Sequence, residues 1–213
     1  MRSALIHVAA LMAISLALAI PVHSQQGAQP SAPAQANTDN PKMIVDQSIS
    51  GDVYRSGAGH FTLTVPAGWR TNDDVVEPKL GIGGLSSPDN EAQLEIQQFP
   101  TEESPATFAK KVDAKGDKLF RGYRKLSETE LQVAGRHCVI LTFEWVQERQ
   151  VAGAPFDMKL VSRFFLVSND GFSVFVFNFV TPEALFDDRQ AEFDRILKSF
   201  NSTAKEDLAP KPK

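Results

Sequence analysis

Residues 172–180 read Phe-Ser-Val-Phe-Val-Phe-Asn-Phe-Val, and this stretch decides the fold. Successive side chains of a strand point to opposite faces, so Phe175, Phe177 and Phe179 share one face while Val174 and Val176 share the other. Both faces are apolar, which places the strand in a sheet covered on both sides. The same double pattern runs through His137–Glu148, where Val139, Leu141, Phe143 and Trp145 alternate with Cys138, Ile140 and Val146. Two further strand-like runs occupy Gly122–Val133 and Phe156–Ser168. Ala134-Gly135, Gly153-Ala154-Pro155 and Asn169-Asp170-Gly171 separate the runs. Connections this short join antiparallel neighbours, so residues 122–180 form an antiparallel meander. Each phenylalanine buried in it contributes about 1.5–3 kcal/mol, and this aromatic run is expected to be core.

Upstream, Phe61-Thr-Leu-Thr-Val-Pro66 alternates apolar and polar and then meets a proline, as a half-buried strand with a stop would. Lys79–Ser86 and Gln93–Phe99 form a hairpin around Ser87-Pro88-Asp89-Asn90. Ser104-Pro105 supplies a cap and a first-turn proline to a helix with Phe108, Val112 and Leu119 at helical spacing, weakened by Gly116. Thr181-Pro182-Glu183 repeats that start before a terminal helix, whose stripe is Phe186, Phe193, Leu197 and Phe200. The fold class is α+β.

At the amino end, Arg2 precedes a largely apolar run from Ala4 to Ile20, and Val22-His23-Ser24 follows Pro21 as a small-x-small cleavage site. A membrane-spanning helix needs roughly 20 apolar residues, and this run offers 17. Residues 1–24 are therefore expected to be a cleaved signal peptide, giving a periplasmic or secreted product with no stable membrane anchor. Residues 25–42 and 201–213 lack the apolar surface to offset their chain entropy and are expected to be a disordered linker and tail. A single domain spans 43–200. Losing Arg2 with the leader takes the formal charge from −4 to −5, a surface that repels phosphate backbones and argues against a nucleic-acid partner. Cys138 is the sole cysteine, so stability in an oxidising compartment rests on the core.

Two segments carry a resemblance. Phe61-Thr62-Leu63-Thr64-Val65-Pro66-Ala67-Gly68-Trp69 resembles the F-x-hydrophobic-x-hydrophobic-P-x-G-W entry of PsbP-like proteins, and Ile196-Leu197-Lys198-Ser199-Phe200 resembles their closing helix. The order of elements between them is similar too. The resemblance runs from about Val53 to Phe200 and implies an α/β/α sandwich with a central antiparallel sheet. It further implies accessory binding to other proteins without a shared catalytic centre, and no family functional residue maps onto this sequence. The leader also lacks the lipid-accepting cysteine of the family's lipoprotein branch.

Candidate chemistry is sparse. His60, His137 and Cys138 do not provide the clustered ligands of a zinc site, and no cofactor is implied. His137 and Cys138 are neighbours on one strand and point apart, which leaves His60 as the partner a Cys138 nucleophile would need. A buried, inert Cys138 is the simpler reading. Gly81-Ile82-Gly83-Gly84 lacks the Lys-Ser/Thr of a phosphate loop and reads as a bulged or closely packed strand, or a mobile loop. Asn72, Asp73, Asp74 and Glu77 are expected to be a solvated face, the alternative being a weak calcium site with oxygen ligands, although the spacing of a dedicated calcium loop is absent. Trp69 is expected to anchor the core. The expected function is that of an exported, non-enzymatic accessory module with an envelope protein as partner. The alternatives are a carrier of a small apolar ligand, with a pocket lined by Trp145, Phe164, Phe175 and Phe177, and a hydrolase using His60 or Cys138.

Overall fold

In chain order the strands are β1 (Gln47–Ser50), β2 (Val53–Ser56), β3 (Phe61–Thr64), β4 (Arg70–Thr71), β5 (Gly81–Ser86) and β6 (Gln93–Pro100). Helices α1 (Pro105–Asp113) and α2 (Gly116–Leu119) follow. Next come β7 (Arg124–Val133), β8 (Arg136–Val151), β9 (Ala154–Asn169), β10 (Ser173–Pro182), helix α3 (Phe186–Lys198) and β11 (Asn201–Ser202). This computed structural model describes residues 46–76, 80–151, 154–169 and 171–202. The expected leader and most of the two expected tails lie outside the described residues. Seven strands form one antiparallel sheet in the order β4-β5-β6-β10-β9-β8-β7, and four form a second in the order β1-β2-β3-β11.

The meander is present as β7 to β10. Ala134 and Gly135 both have positive φ, 51° and 73°, the geometry of a two-residue turn whose twist matches the strands it joins. The large sheet is covered on both faces. On one, Phe175, Phe177 and Phe179 pack with Tyr54, Phe61, Phe193 and Phe200. On the other, Phe143, Trp145, Phe164 and Val176 pack with Phe108, Val112 and Phe120. The first cover is therefore the small sheet together with α3, and the second is α1 with α2.

The structure corrects four expectations. The helix opened by Ser104, whose Oγ accepts from Thr107 N at 3.1 Å, stops at Asp113 instead of reaching Leu119. Gly116 starts a separate turn whose bare Cα faces Tyr123, where an added Cβ would lie 2.4 Å from the ring. Thr181 caps no helix: it stays in β10, and its hydroxyl donates to Glu91 O at 3.1 Å. A 3-10 turn, Glu183–Leu185, then leads into α3 without a side-chain cap. Ala154 and Pro155 belong to β9, with Val151 opposite Ala154, so the turn is narrower than expected. Finally, Asn201 and Ser202 pair with Thr62 and Phe61, which carries the fold two residues past Phe200.

Candidate functional site

Strands β8 and β9 are longer than their neighbours. β7 pairs with β8 only as far as Arg124 opposite Glu144, and β10 pairs with β9 only as far as Pro182 opposite Leu160. Between themselves β8 and β9 continue for six more pairs, from Val146 opposite Lys159 to Val151 opposite Ala154. At about 3.3 Å per residue this two-stranded arm reaches about 20 Å beyond the sheet.

A ribbon without flanking strands is marginal unless its base is held, and here it is. Arg121 grips Asp157 with two hydrogen bonds, 2.8 and 2.7 Å, and lies 3.8 Å from Glu148. Its carbonyl accepts from Val146 N at 2.8 Å. Arg124 clasps Glu144 through Nε and Nη2 at 2.5 and 2.6 Å, and this pair holds the Glu144 carboxyl below its ordinary range. Trp145 Nε1 donates to Ser162 Oγ at 2.9 Å inside the core. Toward the tip, Phe156 stands 42% exposed, opposite Arg149, whose Nε donates to Gln147 Oε1 at 2.9 Å. Isolated exposed hydrophobics are ordinary on a protein surface. Phe156 differs in being carried on a projecting backbone with a buttressed base. The other two large exposed apolar side chains among the described residues, Leu126 on the edge strand and Phe172 before β10, lie elsewhere.

The residues singled out in the sequence do not assemble. Trp145 and Phe164 lie on the helix-covered face, while Phe175 and Phe177 lie on the opposite one, so the sheet itself separates the two halves of the expected pocket. Neighbouring rings fill the space around them: Phe164 meets Phe120 and Phe143, and Phe177 meets Phe61 and Phe200. Cys138 is fully buried. Burial pushes its thiol up to about 11, and the thiol donates to Arg136 O at 3.3 Å. His137 is turned to Glu130, 3.0 Å away, and His60 is exposed in the turn between β2 and β3.

In the acidic loop, Asn72 accepts from Asp74 N at 3.0 Å and donates to Ser86 Oγ at 2.7 Å. Asp73 accepts from Gln47 Nε2 at 2.6 Å. These groups clamp β1 and β5 together, and Glu77 lies outside the described residues. No group of three or more His, Cys, Asp or Glu capable of holding a metal occurs among the described residues. Trp69 is core: it stacks on Phe179 and donates to Glu192 Oε1 at 3.0 Å. Gly83 and Gly84 are close-packing positions, where an added Cβ would lie 2.0 Å from Tyr54 Oη and 2.3 Å from Asn72 O respectively. Sequence reading missed the arm: Gln147-Glu148-Arg149-Gln150 are all polar and carry no strand alternation, and only Phe156-Asp157-Met158-Lys159 keeps the period of two.

No family profile matches the sequence, and no curated protein is significantly similar to it. Solved structures are similar in fold. Cyanobacterial PsbP from Synechocystis superposes with a TM-score of 0.51 at 12% identity, covering 78% of this chain and 98% of that one. The Ran-binding protein Mog1p of Saccharomyces cerevisiae gives 0.50 at 13%, covering 74% and 98%. At such identities the likeness establishes the fold, which is PsbP-like, α+β with antiparallel sheets.

Proposed function

We propose that this PsbP-like chain is exported, cleaved after Ser24, and serves as a non-enzymatic accessory module that docks on an envelope protein through the β8–β9 arm. The observation that carries the reading is the arm, a ribbon six pairs long beyond both neighbours that offers Phe156 at 42% exposure. Aromatic anchors surrounded by polar contacts are the usual centre of a protein interface. Gln147 and Arg149, on the same face as Phe156, provide such surroundings. The leader sequence supports export, and no helix among the described residues is long and apolar enough to cross a membrane. That Mog1p, which shares the fold, is named as Ran-binding agrees with an interaction role.

A photo-crosslinking amino acid in place of Phe156, with the same group in place of exposed Leu126 as control, tests the docking surface in living cells. One discrete adduct from position 156 and none from 126 is expected, with both chains keeping the Tm of the unsubstituted protein. Equal adducts from both positions, or none from either, would sink the reading. Export is tested separately by the mass of the recovered chain, which is expected to begin at Gln25.

A further inference from the structure

The apolar face beneath α1 and α2 is interrupted by one polar stripe. Leu94 and Ile96 of β6 face the other side, so Gln93, Glu95 and Gln97 look toward the helices, as Phe99 does. Asn178 of β10 stands opposite Glu95. All four are exposed by 4% or less. Gln97 Nε2 donates to Glu95 Oε1 at 2.8 Å. Asn178 Oδ1 and Nδ2 and Gln93 Oε1 are enclosed with no hydrogen-bond partner among the described residues.

The apolar packing asks for no amide at position 178, and the Glu95 carboxyl opposite it on β6 accepts from Gln97 and not from Asn178. Its neighbours along β10 are Val176 and Val180, and Phe164 stands across from it on β9, so valine would complete the layer. An enclosed amide left unpaired costs about 1–3 kcal/mol, and folded proteins keep few such groups. The stripe also lies between two covers. On one flank, the 3-10 turn Asp73–Val75 sits on Gly84, opposite Glu95. On the other stand Phe164 and the helices above it. Gln93 is opposite Val180 and is thus the diagonal neighbour of Asn178, at the roughly 7–8 Å spacing that one small group can bridge.

At Asn178 and Gln93 the unmet chemistry is two acceptors on different residues and one amide donor. We propose that the stripe binds a small neutral solute through a primary carboxamide. The ligand carboxamide pairs with Asn178 in a two-bond ring, its syn N–H donating to Oδ1 and its carbonyl accepting from Nδ2. Its anti N–H then donates to Gln93 Oε1. No bond is made or broken, and the site is independent of the arm.

Acetamide is the probe and N,N-dimethylacetamide, which lacks the N–H donors, its matched control, both added to the full-length chain. At ten times its Kd, acetamide is expected to raise Tm by about 3–6 °C and to move the Asn178 side-chain amide resonances, while the control does neither. Asn178→Val is expected to raise the Tm of the unliganded protein and to erase the acetamide response; Gln93→Leu, which keeps the Asn178 ring, is expected to weaken it several-fold. The proposal is overturned if acetamide up to about 100 mM moves neither Tm nor those resonances. It is equally overturned if Asn178→Val responds as the wild type does, or if a crystal soaked in acetamide shows only ordered water in the stripe.

Discussion

Cys138 is a thiol at rest. With its titration pushed up to about 11 by burial, only about one molecule in a thousand carries the thiolate at pH 8. Iodoacetamide at that pH is expected to label the folded chain at least about a hundredfold more slowly than the chain in guanidinium; equal rates would mean that Cys138 is accessible. Asp113 is a different case. The hydrogen bond from the Lys125 ammonium, opposed by partial burial and aided by the Tyr123 hydroxyl, holds its carboxyl below the ordinary 3.8. A carboxyl lowered in the folded state stabilises above its unfolded value and loses that contribution as pH falls through the folded one. Tm is therefore expected to fall below about pH 4, and to fall less steeply in Asp113→Asn. Gly84→Ala would drive a methyl to 2.3 Å from the Asn72 carbonyl and is expected to cost about 1–3 kcal/mol, read from denaturant midpoints.

Elements differ in how much of themselves their sequences disclose. β8 and β10 were legible because alternation over apolar residues has one period, and the turns between them carry glycine. β1 and β2 were not: Gln-Ser-Ile-Ser and Val-Tyr-Arg-Ser become a sheet only because Tyr54 packs on Phe61, a contact no local pattern contains. Thr181-Pro182 reads the same whether a helix begins there or a strand runs on, and the pairing of Pro182 with Leu160 decides it. The expected pocket failed by register. Parity tells which residues of one strand share a face, and inter-strand pairing alone tells whether Phe164 and Phe177 do. The arm escaped for a related reason, since its freedom from neighbours is set by where β7 and β10 stop. At the β7–β8 turn, Ala134 holds a φ of 51°, a region that asparagine tolerates better than alanine. Ala134→Asn is expected to raise Tm by about 1–3 °C, while Gly135→Ala, at φ 73°, lowers it.

At the scale of the whole molecule, the large sheet is assembled from two parts of the sequence. The part β4-β5-β6 precedes the helices, the part β7-β8-β9 follows them, and β10 joins the two by pairing with β6 on one side and β9 on the other. Phe175, Phe177 and Phe179 then fasten the small sheet and α3 to that seam. A chain ending at Gly171 would keep both hairpins and lose their shared partner, and it is expected to show no cooperative unfolding transition by circular dichroism. If a sharp transition survived, β10 would not be the keystone. The same topology delays folding: during synthesis the seam cannot close until nearly all of the chain has left the ribosome. A nascent chain of this kind stays open while it is made, the condition in which a polypeptide can still be threaded through a narrow translocation channel.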